Sequence, residues 1–321
     1  MSTTKRWQLN TRSESICCRM MDRADELKIR VIDDGEGVPL VDCGVDVPGS
    51  LTAGLDLARI TMAGLSEISI TTGDRQLWTG PWVTVQTDWP VMACLASQYA
   101  GWELQCPGFF AMGSGPMRAA AAREPLFERI DYRETTKVAV GVLESSAPPP
   151  LELATEIAAK CDVESRKLTM LFAPTSSLAG TIQIVARSVE TALHKLVELG
   201  FDMGQIESGF GTAPLPPVSH DDLVGIGRTN DAILYGSHVT LWVHGEDDSL
   251  VDIAARLPAS ASEDFGQPFL EVLNQYDRDF YKIDPMLFSP AEIELVNLDS
   301  GRVFRGGQTR ADLLEAWHGA E

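Results

Sequence analysis

Residues 167–200, which read KLTMLFAPTSSLAGTIQIVARSVETALHKLVELG, decide the fold. The apolar run 168–172 is typical of a buried strand, and Pro174 ends it. The hydroxyl side chains of residues 175–177 can accept hydrogen bonds from the free N–H groups of a helix start, and Gly200 suits the helix end. Apolar residues then recur at helical spacing on one face: Ile182, Val185, Val189, Ala192, Leu193 and Leu196. The pattern predicts a strand, a tight turn and one long helix.

The opposite face of this predicted helix carries polar side chains: Gln183, Arg187, Glu190, Thr191 and His194. Arg187 and Glu190 are three residues apart, so they are neighbours on a helix surface, and the guanidinium can hold the carboxylate ionised. The alternative is an ordinary solvated face, although such a face usually carries more Lys and Glu than Gln, Thr and Ser. The pair is therefore a candidate acid–base site.

Strand and helix patterns alternate along the rest of the chain. Helices are predicted at residues 13–27, 50–65 (capped by Ser50), 90–100, 262–276 and 308–317. Strands are predicted at residues 65–71, 82–88, 135–143 and 237–245, with hairpins at 28–44 and at 292–297 with 302–305. This alternation predicts an α/β (α+β) fold of layered domains rather than a helical bundle or a β-sandwich.

The chain is long enough for two domains, since 321 residues with 44% apolar content can bury two cores of medium size. The sequence SSAPPP at residues 145–150 is the best linker, which predicts an N-terminal domain at 1–146 and a C-terminal domain at 147–321 that carries the long helix. A C-terminal hairpin that echoes the N-terminal one leaves interleaved domains as the alternative.

Charge and composition exclude several classes of function. A formal charge of −20 argues against nucleic acid or an anionic membrane as the partner. The six cysteines form no CxxC pair, which favours free thiols in a reducing cytoplasm, and no apolar stretch approaches the ~20 residues that span a bilayer. His238 and His244 have no third ligand nearby in sequence, so no metal site is predicted. We expect a cytoplasmic protein.

Two polar loops are further candidates for binding. In FFAMGSGPMRAAAAR, at residues 109–123, Gly113 and Gly115 permit a tight turn before a helix start that carries Arg118, an arrangement that can hold an anion or a polar ring edge; a bare turn is the alternative. Residues 201–222 are rich in Gly and Pro and are predicted to form a long loop. At its end Asp222 is either a helix cap or a ligand contact, and GRTND at residues 227–231 is predicted to be a polar turn.

Four segments resemble one known family in the same order along the chain. They are GSGPMRAAA at residues 113–121, PTSSLAGTIQIVARSVETALHKL at 174–196, GTAPLPPVSHDDLVGIGRTNDAILYG at 211–236 and DFYKIDPMLFSPAEI at 279–293. The chain is similar in these segments to methenyltetrahydromethanopterin cyclohydrolase. The resemblance implies two α/β domains side by side with a pterin pocket between them, a homotrimer, and no metal or redox cofactor.

The activity implied by the resemblance is the reversible hydrolysis of N5,N10-methenyltetrahydromethanopterin to N5-formyltetrahydromethanopterin, in formaldehyde oxidation or methanogenesis. It implies Glu190 as the base and Arg187 as its partner. The substrate-binding residues implied or considered with it are Ser114, Gly115, Arg118, Thr175, Ser176, Gln183, His194, Asp222, Arg228, Asn230 and Lys282. A relative that acts on methenyltetrahydrofolate and a non-catalytic pterin-binding protein are the alternatives.

Overall fold

The computed structural model describes residues 7–33, 35–315 and 317. It divides into two compact units, each made of two stretches of chain: the described residues of Met1–Ser66 with Met92–Gln183, and those of Glu67–Val91 with Ile184–Glu321. Each unit has its own mixed sheet and its own helices, which confirms the predicted α/β class with two domains. No helix in the described part of the chain is long and apolar enough to cross a membrane.

The first unit has a six-stranded sheet in the order β1-β2-β8-β7-β6-β5. Its strands are β1 (Arg30–Ile32), β2 (Leu40–Asp42), β5 (Trp102–Cys106), β6 (Phe109–Ser114), β7 (Ala139–Glu144) and β8 (Leu168–Ala173). Its helices are α1 (Leu9–Asp22), α2 (Ala24–Leu27), α3 (Leu51–Thr61), a π-helix (Val91–Gln98), α4 (Met117–Ala121), α5 (Leu126–Arg129), α6 (Leu151–Lys160), a 3-10 turn (Ser165–Lys167) and α7 (Leu178–Val185). The first residue of the π-helix and the last two residues of α7 belong to the second unit. Strands β2, β8 and β7 run parallel, and the other pairs are antiparallel.

The apolar run of β8 is explained by cores on both faces of this sheet. Met170 and Phe172 belong to a cluster that includes Ile157 of α6, whereas Leu171 belongs to one that includes Met20 of α1. A strand covered on both sides loses the alternation of polar and apolar residues. Residue 146, where the sequence analysis divides the chain, lies inside this unit, because β7 and β8 on either side of it pair in parallel.

The second unit has a six-stranded sheet in the order β12-β11-β10-β9-β4-β3. Its strands are β3 (Glu67–Thr71), β4 (Trp82–Thr87), β9 (Ile206–Pro214), β10 (His238–Val243), β11 (Glu292–Asn297) and β12 (Val303–Gly307). Its helices are α8 (Ser188–Glu198), α9 (Asp222–Gly236), α10 (Asp247–Arg256), α11 (Phe269–Gln275) and α12 (Ala311–Glu315), with 3-10 turns at Met203–Gln205, Ala259–Ala261 and Phe280–Lys282. Only β10 and β11 pair in parallel among these described strands.

Several local predictions are confirmed. The hairpin β1–β2, the strands β3, β4 and β10, and the hairpin β11–β12 all form. Ser50 caps α3, since its hydroxyl accepts from the Ala53 N–H at 3.1 Å. Ser177 caps α7 in the same way, accepting from the Gly180 N–H at 3.0 Å. Short-range hydrogen bonding therefore decides these starts, as the residue types indicate.

Other local predictions are wrong. The loop predicted for residues 201–222 contains β9, and the turn predicted at residues 227–231 lies inside α9. The helix predicted at residues 90–100 does form, as a π-helix, whereas only Phe269–Gln275 of the helix predicted at residues 262–276 is α-helical. Glycine residues led to the first two errors, because glycine is common in loops and turns. A Cβ added at Gly227 would lie 3.0 Å from Leu270 Cβ, so this glycine allows close packing of α9 and does not form a turn.

Candidate active site

The helix predicted to run without a break to Gly200 is interrupted at Ala186 and Arg187. α7 ends at Val185, and Arg187 has backbone angles φ −92° and ψ 7°, outside the helical region. The Thr191 N–H donates to the Arg187 carbonyl at 2.9 Å, which starts α8. Arg187 is thus the N-cap residue of α8, and Glu190 lies in its first turn. A carboxylate there is stabilised by the positive end of the helix dipole.

The first turn of α8 lies close to strand β9 because two residues of the strand have no side chain. A Cβ at Gly211 would stand 2.5 Å from Ser188 Oγ, and a Cβ at Gly209 would stand 2.8 Å from Val189 Cγ1. Both distances are shorter than atomic contact allows, so the glycines set how closely the helix approaches the sheet. The Gly-rich segment that resembled a loop is the surface on which the candidate catalytic helix rests.

Both members of the candidate pair are buried. The exposed fraction is 6% for Arg187 and 4% for Glu190, which excludes the ordinary solvated face considered in the sequence analysis. Buried Arg and Glu side chains are rare unless they are paired or functional. The core face behaves as predicted, since Val189, Leu193 and Leu196 are fully buried. An acid–base pair held at the start of a helix and shielded from bulk water is suited to proton transfer.

The turn predicted between β6 and α4 forms at Gly115, which has φ +91°, whereas Gly113, which was also predicted to allow it, lies within strand β6. Ser114 Oγ donates to the Val142 carbonyl at 3.1 Å, and the Gly115 N–H donates to the Ser97 carbonyl at 2.9 Å. The positive φ and the 3.2 Å distance from an added Cβ to the Val140 carbonyl explain why glycine stands at this position.

Arg118 has an internal role in this turn. Its side chain is fully buried, and its guanidinium donates to the Leu95 carbonyl at 3.0 Å and the Ser97 carbonyl at 3.2 Å. It also forms an ion pair with Glu124 and lies 5.0 Å from the centroid of the Tyr99 ring. These contacts fix the π-helix and the loop after it.

Three predicted binding residues lie around α7. Thr175 is buried and Ser176 is half-buried in the turn between β8 and the helix. Gln183 has 1% exposure, and its amide donates to Glu144 Oε1 at 3.2 Å. The sequence analysis did not single out Glu144, a half-buried carboxylate at the carboxyl end of β7. Its place between a predicted strand and the segment SSAPPP could have indicated a polar side chain at a strand end.

The remaining predicted residues lie in the second unit on different elements. His194 is half-buried on α8, so the structure brings it onto the same helix as the candidate pair. Asp222 is the first residue of α9, and Asp221 is its cap, accepting from the Val224 N–H at 3.0 Å. Arg228 donates to the Pro217 carbonyl, and Asn230 donates to the Ile226 carbonyl of its own helix. Lys282 is exposed, and its Nζ lies 3.5 Å from Asp277 Oδ2.

Metal ligands were not predicted, and among the described residues no three His, Cys, Asp or Glu side chains are grouped to hold a metal ion. The cysteines in this part of the chain are free thiols, and Cys18 is exposed while Cys17, Cys43, Cys94 and Cys161 are buried. Burial raises the pKa of the Cys161 thiol to about 12, so this sulfur stays protonated at neutral pH.

A buried arginine and a buried glutamate at the start of one helix are an arrangement suited to acid–base chemistry. The family model described as Cyclohydrolase (MCH) matches residues 8–317, and the chain belongs to this family. It is 43% identical over 310 residues to the methenyltetrahydromethanopterin cyclohydrolase of Methylobacillus flagellatus. The aligned region covers 96% of this chain and 94% of that protein.

Two further relatives carry the same name. The chain is 47% identical over 287 residues to the protein of Xanthobacter autotrophicus, with 88% of this chain and 84% of that one covered. It is 39% identical over 308 residues to the protein of Methanococcoides burtonii, with 95% and 96% covered. The family predicted from the four sequence segments is thereby confirmed.

Proposed function

We propose that this protein reversibly hydrolyses N5,N10-methenyltetrahydromethanopterin to N5-formyltetrahydromethanopterin in one-carbon metabolism. The family and the names of relatives at 39% to 47% identity support this activity. The structural observation that carries it is the burial of Glu190 in the first turn of α8, with Arg187 directly before that turn.

The chemistry requires little activation of the substrate. The methenyl bridge is an amidinium-like cation, so its carbon is electrophilic before it meets the enzyme. Water adds to this carbon while Glu190 accepts a proton from it. The bond from the carbon to N10 then breaks, N10 takes up a proton, and the carbon remains on N5 as the formyl group. One proton is released overall, and general acid–base assistance of this kind contributes about 10²- to 10⁴-fold.

Arg187 has two roles in this proposal. Its positive charge favours the ionised form of Glu190, which is the form that accepts a proton. Its guanidinium also offers N–H donors to the oxygen that develops into the formyl group. The negative charge of Glu190 attracts the cationic bridge, so the same residue serves substrate binding and proton transfer.

Substrate binding is proposed for a further set of polar residues: Ser114, Gly115, Thr175, Ser176, Gln183, His194, Asp222, Arg228, Asn230 and Lys282. The internal contacts of Arg118 favour a supporting role for its side chain in the turn at Gly115. We further propose that the enzyme uses no metal or redox cofactor, because the electrophile is already present in the substrate. It would act as a homotrimer in the cytoplasm, with no nucleic-acid or membrane partner.

The decisive test is the variant Glu190→Gln, which keeps the shape of the side chain and removes the base. Turnover is followed by the loss of absorbance of methenyltetrahydromethanopterin, and binding is measured separately. We expect turnover to fall by about 10²-fold or more while the pterin still binds. Glu198→Gln is the matched control, since it makes the same change on the exposed last turn of α8.

Other outcomes would overturn the proposal in distinct ways. Turnover of Glu190→Gln within a few fold of wild type would remove Glu190 from the mechanism. A wild-type protein that binds the pterin without turning it over would be a binding protein. Faster turnover of methenyltetrahydrofolate than of the methanopterin substrate would reassign the substrate.

A further inference from the structure

A lysine is buried on the same helix as the candidate catalytic pair. Lys195 lies on α8, five residues after Glu190, and its exposed fraction is 0%. Lysine is almost never fully buried unless its ammonium group is paired, because removing the charge from water is costly. Burial lowers the pKa of Lys195 to about 8, and the negative charge of Asp284 opposes that shift.

The ammonium group of Lys195 joins α8 to two other segments of the second unit. Nζ donates to the Pro258 carbonyl at 2.7 Å and to the Met286 carbonyl at 2.5 Å. Pro258 follows α10, whereas Met286 lies in the segment before β11. Neither residue belongs to a strand, and the Pro258 carbonyl also accepts from the Ala261 N–H at 3.1 Å.

The Met286 carbonyl is itself held in place by Asp284. Asp284 Oδ1 accepts from the Met286 N–H at 3.0 Å, and Asp284 Oδ2 accepts from Ser262 Oγ at 2.6 Å. The Pro258 segment is fixed in a similar way, because the Ala259 N–H donates to the Pro290 carbonyl at 2.9 Å. Lys195 therefore donates to acceptors whose positions are determined by other bonds.

These bonds supply what the apolar face of α8 lacks. That face consists of Val189, Ala192, Leu193 and Leu196, and apolar contact is non-directional, so it resists separation of the helix from the sheet more than rotation or sliding. Hydrogen bonds are directional, and two of them from Lys195 Nζ to fixed carbonyls hold this nitrogen in one position. α8 is therefore held at two points, at its first turn against Gly209 and Gly211 and at Lys195, and this fixes its rotation about its own axis.

We propose that Lys195 is a positioning residue for the hydrolysis: by binding the Pro258 and Met286 carbonyls it fixes the rotation and axial position of α8, and so the placement of Arg187 and Glu190. This inference rests on the proposed function, since it concerns the same pair. Lys195 does not touch the reacting atoms in this account. Its effect reaches the reaction through the helix.

The test compares Lys195→Met, which keeps an unbranched side chain only one atom shorter and removes its donors, with wild type. A misplacement of a catalytic group by 1 Å can cost about 10²-fold, so we expect kcat to fall by about 10- to 100-fold while KM changes by less than about threefold. Activity is measured well below the unfolding temperature of the variant and is referred to the folded fraction. Lys160→Met is the control, because Lys160 pairs only with its helix neighbour Glu156 among the ion pairs of the described residues.

Lys195→Arg keeps the test decisive if the methionine variant does not fold. A guanidinium also donates to two carbonyls, so this variant should fold and keep more activity than Lys195→Met, or than Lys195→Gln where that folds. A kcat of folded Lys195→Met within twofold of wild type would overturn the inference, as would a loss confined to stability. Failure of the proposed function is separate, since it would appear in wild type and in Glu190→Gln.

Discussion

Replacing Gly211 by alanine tests whether the contact between β9 and α8 places the catalytic pair. The added Cβ would lie 2.5 Å from Ser188 Oγ and 2.9 Å from Val189 Cγ2. Ordinary contact distances are about 3.5 Å, so we expect the first turn of α8 to rise by about 1 Å. Overpacking of this kind costs about 1–3 kcal/mol of stability. A shift of 1 Å at Glu190 is expected to lower kcat by about 10²-fold.

The assay is a compensating double variant. Ser188→Gly removes both the Oγ and the Cβ that the new methyl group meets, and Ser188 Oγ has no hydrogen-bond partner among the described residues, so removing it sacrifices no such bond. We expect Gly211→Ala with Ser188→Gly to recover at least about tenfold in kcat over Gly211→Ala alone. Gly204→Ala is the control, since its Cβ would meet only the side chain of Asp202, at 3.2 Å or more.

Two results would refute this reasoning. Gly211→Ala with wild-type kcat would show that the helix absorbs the methyl group without moving Glu190. Recovery of thermal stability but not of kcat in the double variant would show that the contact serves the fold and not the reaction.

Two predictions concern stability. Burial raises the pKa of Asp231 to about 7, so the folded protein holds a proton that the unfolded chain releases near pH 4, and this contribution to stability is lost as pH rises through 7. Asp231→Asn keeps an oxygen that can accept from the Phe269 N–H, as Asp231 Oδ1 does at 2.7 Å, and removes the charge. The unfolding free energy of Asp231→Asn minus that of wild type should therefore increase by up to about 4 kcal/mol from pH 4 to pH 8 in denaturant titrations. A difference that does not change with pH would contradict this. Asn10 donates to Glu134 Oε2 at 2.7 Å and to the Pro116 carbonyl at 2.8 Å, and it accepts from the Val140 N–H at 3.0 Å. Asn10→Ala leaves these buried groups without those bonds and should cost about 3 kcal/mol in the same titration, whereas exposed Ser15→Ala should cost less than about 0.5 kcal/mol.

Features set by neighbours in sequence were predictable. The caps at Ser50 and Ser177 depend on one hydroxyl and the N–H three residues later, and both follow from residue type. The hairpins likewise follow from apolar runs separated by turn residues. The candidate pair was found because Arg187 and Glu190 are three residues apart within a recognisable family segment.

Features set by distant contacts were not predictable. Gly209 and Gly211 resemble loop residues until α8 is placed over them, because the need for a missing side chain arises from another element. Lys195 was not singled out, since a lysine in a helix is ordinarily exposed and its acceptors are 63 and 91 residues away in sequence. Asp231 is similar, because its partner Phe269 is 38 residues further along the chain.

The interleaving of the two units has a consequence for synthesis on the ribosome. The β3–β4 hairpin is complete at Thr87, yet β9, the strand that covers the open side of β4, spans Ile206–Pro214. At about 5–20 residues per second, the hairpin waits roughly 6–25 seconds with one edge unpaired. An unpaired edge is a template for pairing with another chain, so the nascent protein is exposed to aggregation at β4 during this interval. A fragment that ends before β9 should retain that liability permanently.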